Sequence, residues 1–296
     1  MIPVLEGAPP MAAAIDVLRK SLLDGLDPEA GPPRSVVPVP HGQLLLMPAH
    51  WGNYTGVKMV TAAPGNAARG LPRIQGNYLL LDGETLTPLA LLDGIALTSV
   101  RTAAVSAVAA DALAGPDASR LVLFGTGPQA RSHLEALSCI RPIQDVVVVG
   151  RNADRARAFA AEVGARAGTV DDIVHADIVA CCTTARTPLF DGALLPPSAT
   201  IVAVGSHEPD AREVDETAVA RSTVIVEAVS AALREAGDVV QAVQAGALDP
   251  GELVGLADVV SGRHEVPPER PRFFKSVGMA WEDLVLAAAH FEAAGI

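Results

Sequence analysis

The sequence predicts an α/β protein in two parts: a parallel sheet covered by helices, and an α+β domain built from both ends of the chain. Three observations predict this. Short apolar runs at 121–124, 145–149, 178–180, 200–204 and 224–226 alternate with helical stretches, the signature of parallel strands joined by crossover helices. The stretch 121–137 passes from a strand pattern to a helical one through Gly125-Thr126-Gly127-Pro128-Gln129-Ala130. Upstream, the runs 36–39, 44–47, 56–60 and 78–81 are separated by Pro, Gly and Asn, as in a mostly antiparallel sheet.

The glycine turn carries chemistry. Gly125 permits the tight strand-to-helix turn, Gly127 lets backbone N–H groups approach a pyrophosphate, and Ala130 keeps the helix close to the sheet. The anion would sit at the helix N-terminus, where unpaired N–H groups and the positive dipole end favour it. With a strand before, a helix after and a second strand at 145–149, the unit reads as a Rossmann dinucleotide-binding domain. An NAD-selective site places Asp or Glu at the end of that second strand to accept from the ribose 2′-OH. Here the strand ends in Gly150-Arg151-Asn152, with Arg155 and Arg157 one turn on. A guanidinium binds a 2′-phosphate that a carboxylate would repel, so the expected cofactor is NADPH, ahead of NAD(H). The bland alternative for Arg155 and Arg157 is a solvated face of the helix at 154–163.

Composition bounds the rest. At 296 residues the chain can hold two domains. Its mean hydropathy of +0.33 is high, yet no charge-free run of 18 or more strongly apolar residues stands out, and much of the apolar fraction is alanine in amphipathic helices. No membrane partner is expected. The N-terminal residues lack the basic region and apolar block of a signal peptide, which predicts a cytoplasmic location. Cys139, Cys181 and Cys182 suit neither a disulfide framework nor a metal site and read as reduced, buried small hydrophobes. A net charge of −12 with 3% aromatics argues against a nucleic-acid partner.

The segment 115–120, Gly-Pro-Asp-Ala-Ser-Arg, reads as a linker into the dinucleotide-binding domain. A long helix at about 93–113 precedes it. After residue 260, Pro267, Pro268 and Pro271 precede a helical run at 273–289 that could return to the first domain. The expected division is therefore 1–114 with 272–296 for the α+β domain, and 115–271 for the Rossmann domain.

The first domain has few cations. Lys58 lies inside the apolar strand Gly56-Val57-Lys58-Met59-Val60, where an unpartnered buried ammonium would be costly; either it reaches solvent or it faces an anion. Arg34 and Arg101 are also flanked by small or apolar residues. Singly, each reads as a structural cation; together, they suit a pocket for a small carboxylate.

Several segments, in order, resemble the ornithine cyclodeaminase/mu-crystallin family over nearly the full length. They are Pro33-Arg34, the Lys58 strand, 64–72 (PGNAARGLP), Leu92-Asp93-Gly94, 100–107 (VRTAAVSA), the glycine turn, Ala203-Val204-Gly205-Ser206, and 274–283 (FKSVGMAWED). The resemblance implies a homodimeric NAD(P)-dependent protein with a Rossmann domain and a separate substrate-binding and dimerisation domain. It implies that Arg34, Lys58 and Arg101 hold the carboxylate of an amino or imino acid. It also places Thr126 and Gln129 at the pyrophosphate, Arg151 and Asn152 at the 2′-phosphate, and Val204 and Ser276 near the nicotinamide end.

One departure bears on the chemistry. Cyclodeaminases of the family carry an aspartate shortly after the Val-Gly that follows the fourth strand, whereas this chain has Val204-Gly205-Ser206-His207-Glu208-Pro209-Asp210. In this the chain looks like the mu-crystallin branch of NADPH-dependent ketimine reductases. His207 is either a general acid for a nascent amine or ketimine nitrogen, or a loop histidine that only lines the cofactor pocket. Glu208, Glu213 and Asp215 read as the solvated start of a helix. The leading expectation is reduction of a small imino acid such as pyrroline-2-carboxylate or piperideine-2-carboxylate, with Lys58 and His207 as catalytic candidates and no metal. The rival readings are an NAD-dependent cyclodeaminase, an amino-acid or opine-type dehydrogenase, and a non-catalytic NADPH or small-ligand binding protein.

Overall fold

The structure is a computed structural model that describes residues 2–296, the Ala67 side chain apart. Its contacts divide the chain into two units, one of residues up to Arg101 together with Met279–Ile296, the other Thr102–Gly278.

In the first unit the elements run β1 (Val4–Leu5), α1 (Met11–Leu23), β2 (Ser35–Val39), β3 (Gly42–Trp51), β4 (Tyr54–Ala62), β5 (Ile74–Asp82), β6 (Pro88–Asp93) and the start of α2 (Gly94–Leu113). The strands form a sheet in the order β1-β6-β5-β4-β3-β2. β2 to β6 are an antiparallel meander, and β1 adds parallel to β6. Strand alternation decides what is buried: Leu45, Met47, Lys58, Tyr78, Leu80, Ala90 and Leu92 share one face and are buried, while Val37, Val39 and Met59 on the other are exposed. α1 buries Met11, Ala14, Ile15, Leu18 and Leu22, the helical-period stripe of its sequence.

The second unit continues with β7 (Arg120–Phe124), α3 (Pro128–Ile140), β8 (Asp145–Val149), α4 (Ala153–Glu162), β9 (Arg166–Ala167), β10 (Ile178–Cys181), β11 (Thr200–Ala203), α5 (Glu216–Arg221), β12 (Thr223–Val226), α6 (Val229–Glu235), α7 (Gly237–Gln244), β13 (Val254–Gly255), α8 (Leu256–Val260) and β14 (Arg272–Lys275). They make a parallel sheet in the order β13-β12-β14-β11-β10-β7-β8-β9. Apolar residues of its central strands, among them Val122, Val179, Ile201, Val224 and Phe273, form one core cluster. The chain then returns to the first unit as α9 (Ala280–Ala294), which packs on α1, β3, β4 and β5.

The structure corrects several expectations. Arg272–Lys275 is a strand inserted between β11 and β12, with all four residues buried; the helical run begins only at Ala280. A short apolar stretch buried on both faces shows no period of two, so it merges with a following helix. Because β14 completes the parallel sheet, the return to the first unit falls at 278/279 rather than 271/272. The other break falls inside α2, after Arg101, not at 114/115. By length and composition α2 could also cross a membrane, but 61% of its most apolar window is buried within the protein, as in a core helix. Cys139 is exposed rather than buried.

Candidate functional site

The glycine turn forms as its sequence requires. Gly125 adopts φ +119°, a left-handed value that side chains disfavour, and a Cβ there would collide with the Cys182 carbonyl oxygen. Gly127 caps α3 in an extended conformation with no side-chain cap, and Pro128 occupies the first turn. Nothing would meet a Cβ at Gly127, so its surroundings are open to a ligand. The leading N–H groups of α3 therefore have no side-chain acceptor, and the buried Gln129 Oε1 has no hydrogen-bond partner. Ala130 is fully buried against the sheet. A dinucleotide pyrophosphate fits this cradle of uncommitted N–H groups.

At the end of β8, Arg151 and Arg155 are exposed and form no ion pair, whereas Arg157 is held by Asp154. Asn152 caps α4, its Oδ1 accepting from the Arg155 N–H at 2.9 Å. A Cβ at Gly150 would approach the Thr126 methyl at 3.3 Å, so the β8 end and the glycine turn lie side by side. Two more expected cofactor residues sit on neighbouring strand ends. The Val204 N–H donates to Cys181 O at 3.1 Å. The buried Ser276 hydroxyl donates to Glu227 Oε1 at 2.6 Å, and Glu227 Oε2 accepts from the Val277 and Gly278 N–H groups.

The first unit holds a second constellation. Lys58 does not reach solvent: it is 1% exposed, and its Nζ donates to Asp283 Oδ2 at 2.6 Å and Thr98 Oγ1 at 3.3 Å. Arg101, from α2, donates to Glu282 Oε2 at 2.9 Å, and its Nε lies 3.7 Å from Asp283 Oδ1. Burial lowers the Lys58 pKa to about 8, Asp283 opposing the shift and Arg101 adding to it. Two cations and two carboxylates balance, so binding an anion here calls for a further positive charge. Arg34 is half-buried and directly precedes Ser35, which pairs with Leu46 and through it with Met59 in the row beside that of Met47 and Lys58. Lys58 and Arg101 are thus brought together at Asp283, and Arg34 stands just outside the paired register of β2.

Sequence reasoning missed Glu282 and Asp283 as partners. The available signal was two adjacent acids in an apolar helical run, which need cations if buried. It also misread Glu213. Far from solvated, Glu213 is 0% exposed; it accepts from Thr183 and Gly205, and Asp238 accepts from its N–H. Asp215 does cap α5, accepting from Ala218 N. His207 is exposed on the loop after β11, and the neighbouring Glu208 and Asp210 pair with Arg186 at 2.7 and 2.5 Å.

A parallel sheet of this order with an uncapped glycine-turn helix defines a Rossmann-type dinucleotide-binding protein. A family model described as the ornithine cyclodeaminase/mu-crystallin family matches residues 19–294, and the chain belongs to that family. A Delta(1)-pyrroline-2-carboxylate/Delta(1)-piperideine-2-carboxylate reductase of Azospirillum brasilense is 37% identical, over 96% of this chain and 93% of the relative. The structure of Thermococcus litoralis Delta(1)-pyrroline-2-carboxylate reductase in complex with NADH and L-proline superposes with a TM-score of 0.91 at 30% identity, covering 99% of this chain and 97% of that one. An archaeal alanine dehydrogenase dimer with bound NAD superposes with a TM-score of 0.92 at 26% identity, covering 99% and 96%.

Proposed function

We propose that this protein is an NADPH-dependent reductase of small imino acids, cyclic or open-chain, of the pyrroline-2-carboxylate and piperideine-2-carboxylate type. The observation that carries the reading is the buried Lys58–Arg101 cluster in a family member whose relative and structural neighbour are named as such reductases. A bound nicotinamide supplies the hydride. The chain's own residues supply the rest: Lys58, whose ammonium has a third donor beyond those used by Asp283 and Thr98, Arg101 and Arg34 hold the substrate carboxylate. Fixing the reacting carbon at near-attack distance accounts for much of the rate, and the preorganised cations for more. The test is oxidation of NADPH by wild-type protein with each preformed cyclic imino acid; no turnover with any of them overturns the reading.

The preference for NADPH rests on Arg151 and Arg155, exposed and without ion-pair partners at the end of β8, although the Thermococcus neighbour holds NADH. Arg151→Ala should weaken NADPH by roughly one to two decades, the worth of a charge-assisted contact, and leave NADH nearly unchanged. Titration of both reduced cofactors by fluorescence checks this. Equal losses for both would remove Arg151 from the 2′-phosphate.

The assembly we propose is a homodimer. Val37, Val39 and Met59, all 41% exposed, share the sheet face opposite the core, and a contiguous apolar sheet face marks an interface. The alanine dehydrogenase neighbour is a dimer. Light scattering should give twice the 30.4 kDa chain mass, and Met59→Glu should shift it toward the monomer. A monomeric wild type at micromolar concentration would refute the assignment.

A further inference from the structure

The reaction proposed above leaves one buried charged cluster without a role. In the second unit Glu213, Asp238 and Lys275 are each no more than 1% exposed. Glu213 Oε1 accepts from the Thr183 N–H at 2.8 Å and the Thr183 hydroxyl at 2.7 Å, while Oε2 accepts from the Gly205 N–H at 2.7 Å. Thr183 lies two residues past β10, and Gly205 two residues past β11. One carboxylate therefore ties together the loops at the carboxyl ends of adjacent parallel strands, the edge where doubly wound sheets bind ligands. Asp238 holds Glu213 in turn: its Oδ1 accepts from the Glu213 and Val214 N–H groups at 2.7 and 2.9 Å, and its Oδ2 lies 2.8 Å from Lys275 Nζ at the end of β14. The fit is tight, since a Cβ at Gly205 would strike Thr183 O and the Glu213 carboxylate.

We propose that Glu213 is a positioning residue: ionised, it clasps the β10 and β11 loops in the dinucleotide-binding arrangement, and protonated, it releases the Gly205 loop. The chemistry is that of the donor set. Every group bonded to the Glu213 side chain donates to it, so a carboxylate satisfies all three. A proton on Oε2 sets an O–H against the Gly205 N–H, and that bond is lost. Burial pushes the Glu213 pKa up to about 7, Asp238 adding to the rise, Lys275 and the Thr183 donors opposing it. The Cys181 and Cys182 thiols beside it are held well above the usual thiol range, first by burial and then by Glu213, so they stay neutral and do not titrate in this window. His207 is exposed on the same loop, and its substitution serves as the comparison below.

If the dinucleotide binds the clasped loops, it binds the ionised form and releases a proton as it binds, so affinity falls as pH falls through about 7.

The inference rests on the dinucleotide site proposed above, and the test separates the two. The probe is NADH, which has no 2′-phosphate to titrate. Wild-type protein should bind NADH about tenfold more weakly at pH 6 than at pH 8, with proton release seen as a buffer-dependent calorimetric enthalpy. Glu213→Gln should bind with the weaker affinity at both values and release no proton. Thr183→Val, which removes one donor to the carboxylate, should move the midpoint to higher pH, and it covers the case in which Glu213→Gln does not fold. His207→Ala should keep the wild-type dependence. A flat wild-type profile, an unchanged dependence in Glu213→Gln, or its loss in His207→Ala overturns the clasp. Failure of wild-type protein to bind NADH or NADPH at any pH overturns the dinucleotide site instead.

Discussion

Lys58→Met is expected to leave dinucleotide affinity intact and to remove at least about two decades of kcat/KM for a cyclic imino acid, the usual loss for one preorganised stabilising group. The substitution keeps much of the side-chain length but leaves Asp283 buried, with Arg101 Nε at 3.7 Å as its remaining cation. Breaking a buried pair from one side costs about 3–5 kcal/mol, so the melting temperature falls as well. The double variant Lys58→Met/Asp283→Asn removes both charges, recovers part of that stability and recovers none of the activity. Asp283→Asn alone works in the opposite sense. Asp283 is the main influence holding the Lys58 pKa up against burial, so wild-type kcat/KM should decline as pH rises through about 8 and the variant should decline at lower pH. Wild-type kinetics in Lys58→Met would make the residue a purely structural member of the ion-pair network.

The same residues show how far the sequence could be read. Lys58 was legible because an ammonium inside Gly56–Val60 has a cost that something must offset. Its partner was not, since Asp283 lies 225 residues away and no local pattern joins them. The glycine turn and β8 were legible because strand, turn and helix are encoded within one short segment; β8 spans the expected 145–149. β14 was hidden because its four residues are buried on both faces, which erases alternation. Glu213 stands just before a helix capped by Asp215, the setting of a solvated acid. What buries it comes from Thr183, Gly205 and Asp238, all on other segments.

The chemistry after β11 separates a reductase from a cyclodeaminase, and ornithine should therefore yield negligible ammonia while cyclic 2-imino acids drive NADPH oxidation. Cyclisation needs a free amine nucleophile, and an unperturbed amine near pKa 10.4 is almost wholly protonated at neutral pH. A carboxylate poised to manage those protons is central to that reaction, whereas reducing a preformed imine needs a hydride and one proton. The loop from Val204 to Asp210 offers no such acid: Glu208 and Asp210 are exposed and both held by Arg186, and Glu213 is fully engaged by Thr183 and Gly205. The proton can come from His207, from water or from an already protonated ketimine. His207→Ala distinguishes these sources: a fall of about two decades in kcat with cofactor affinity retained makes the imidazole the donor, and a fall of less than about threefold leaves water or the substrate. Ammonia release from ornithine by the wild type at rates matching imine reduction would overturn the reductase assignment outright, since it would require a base that these residues do not provide.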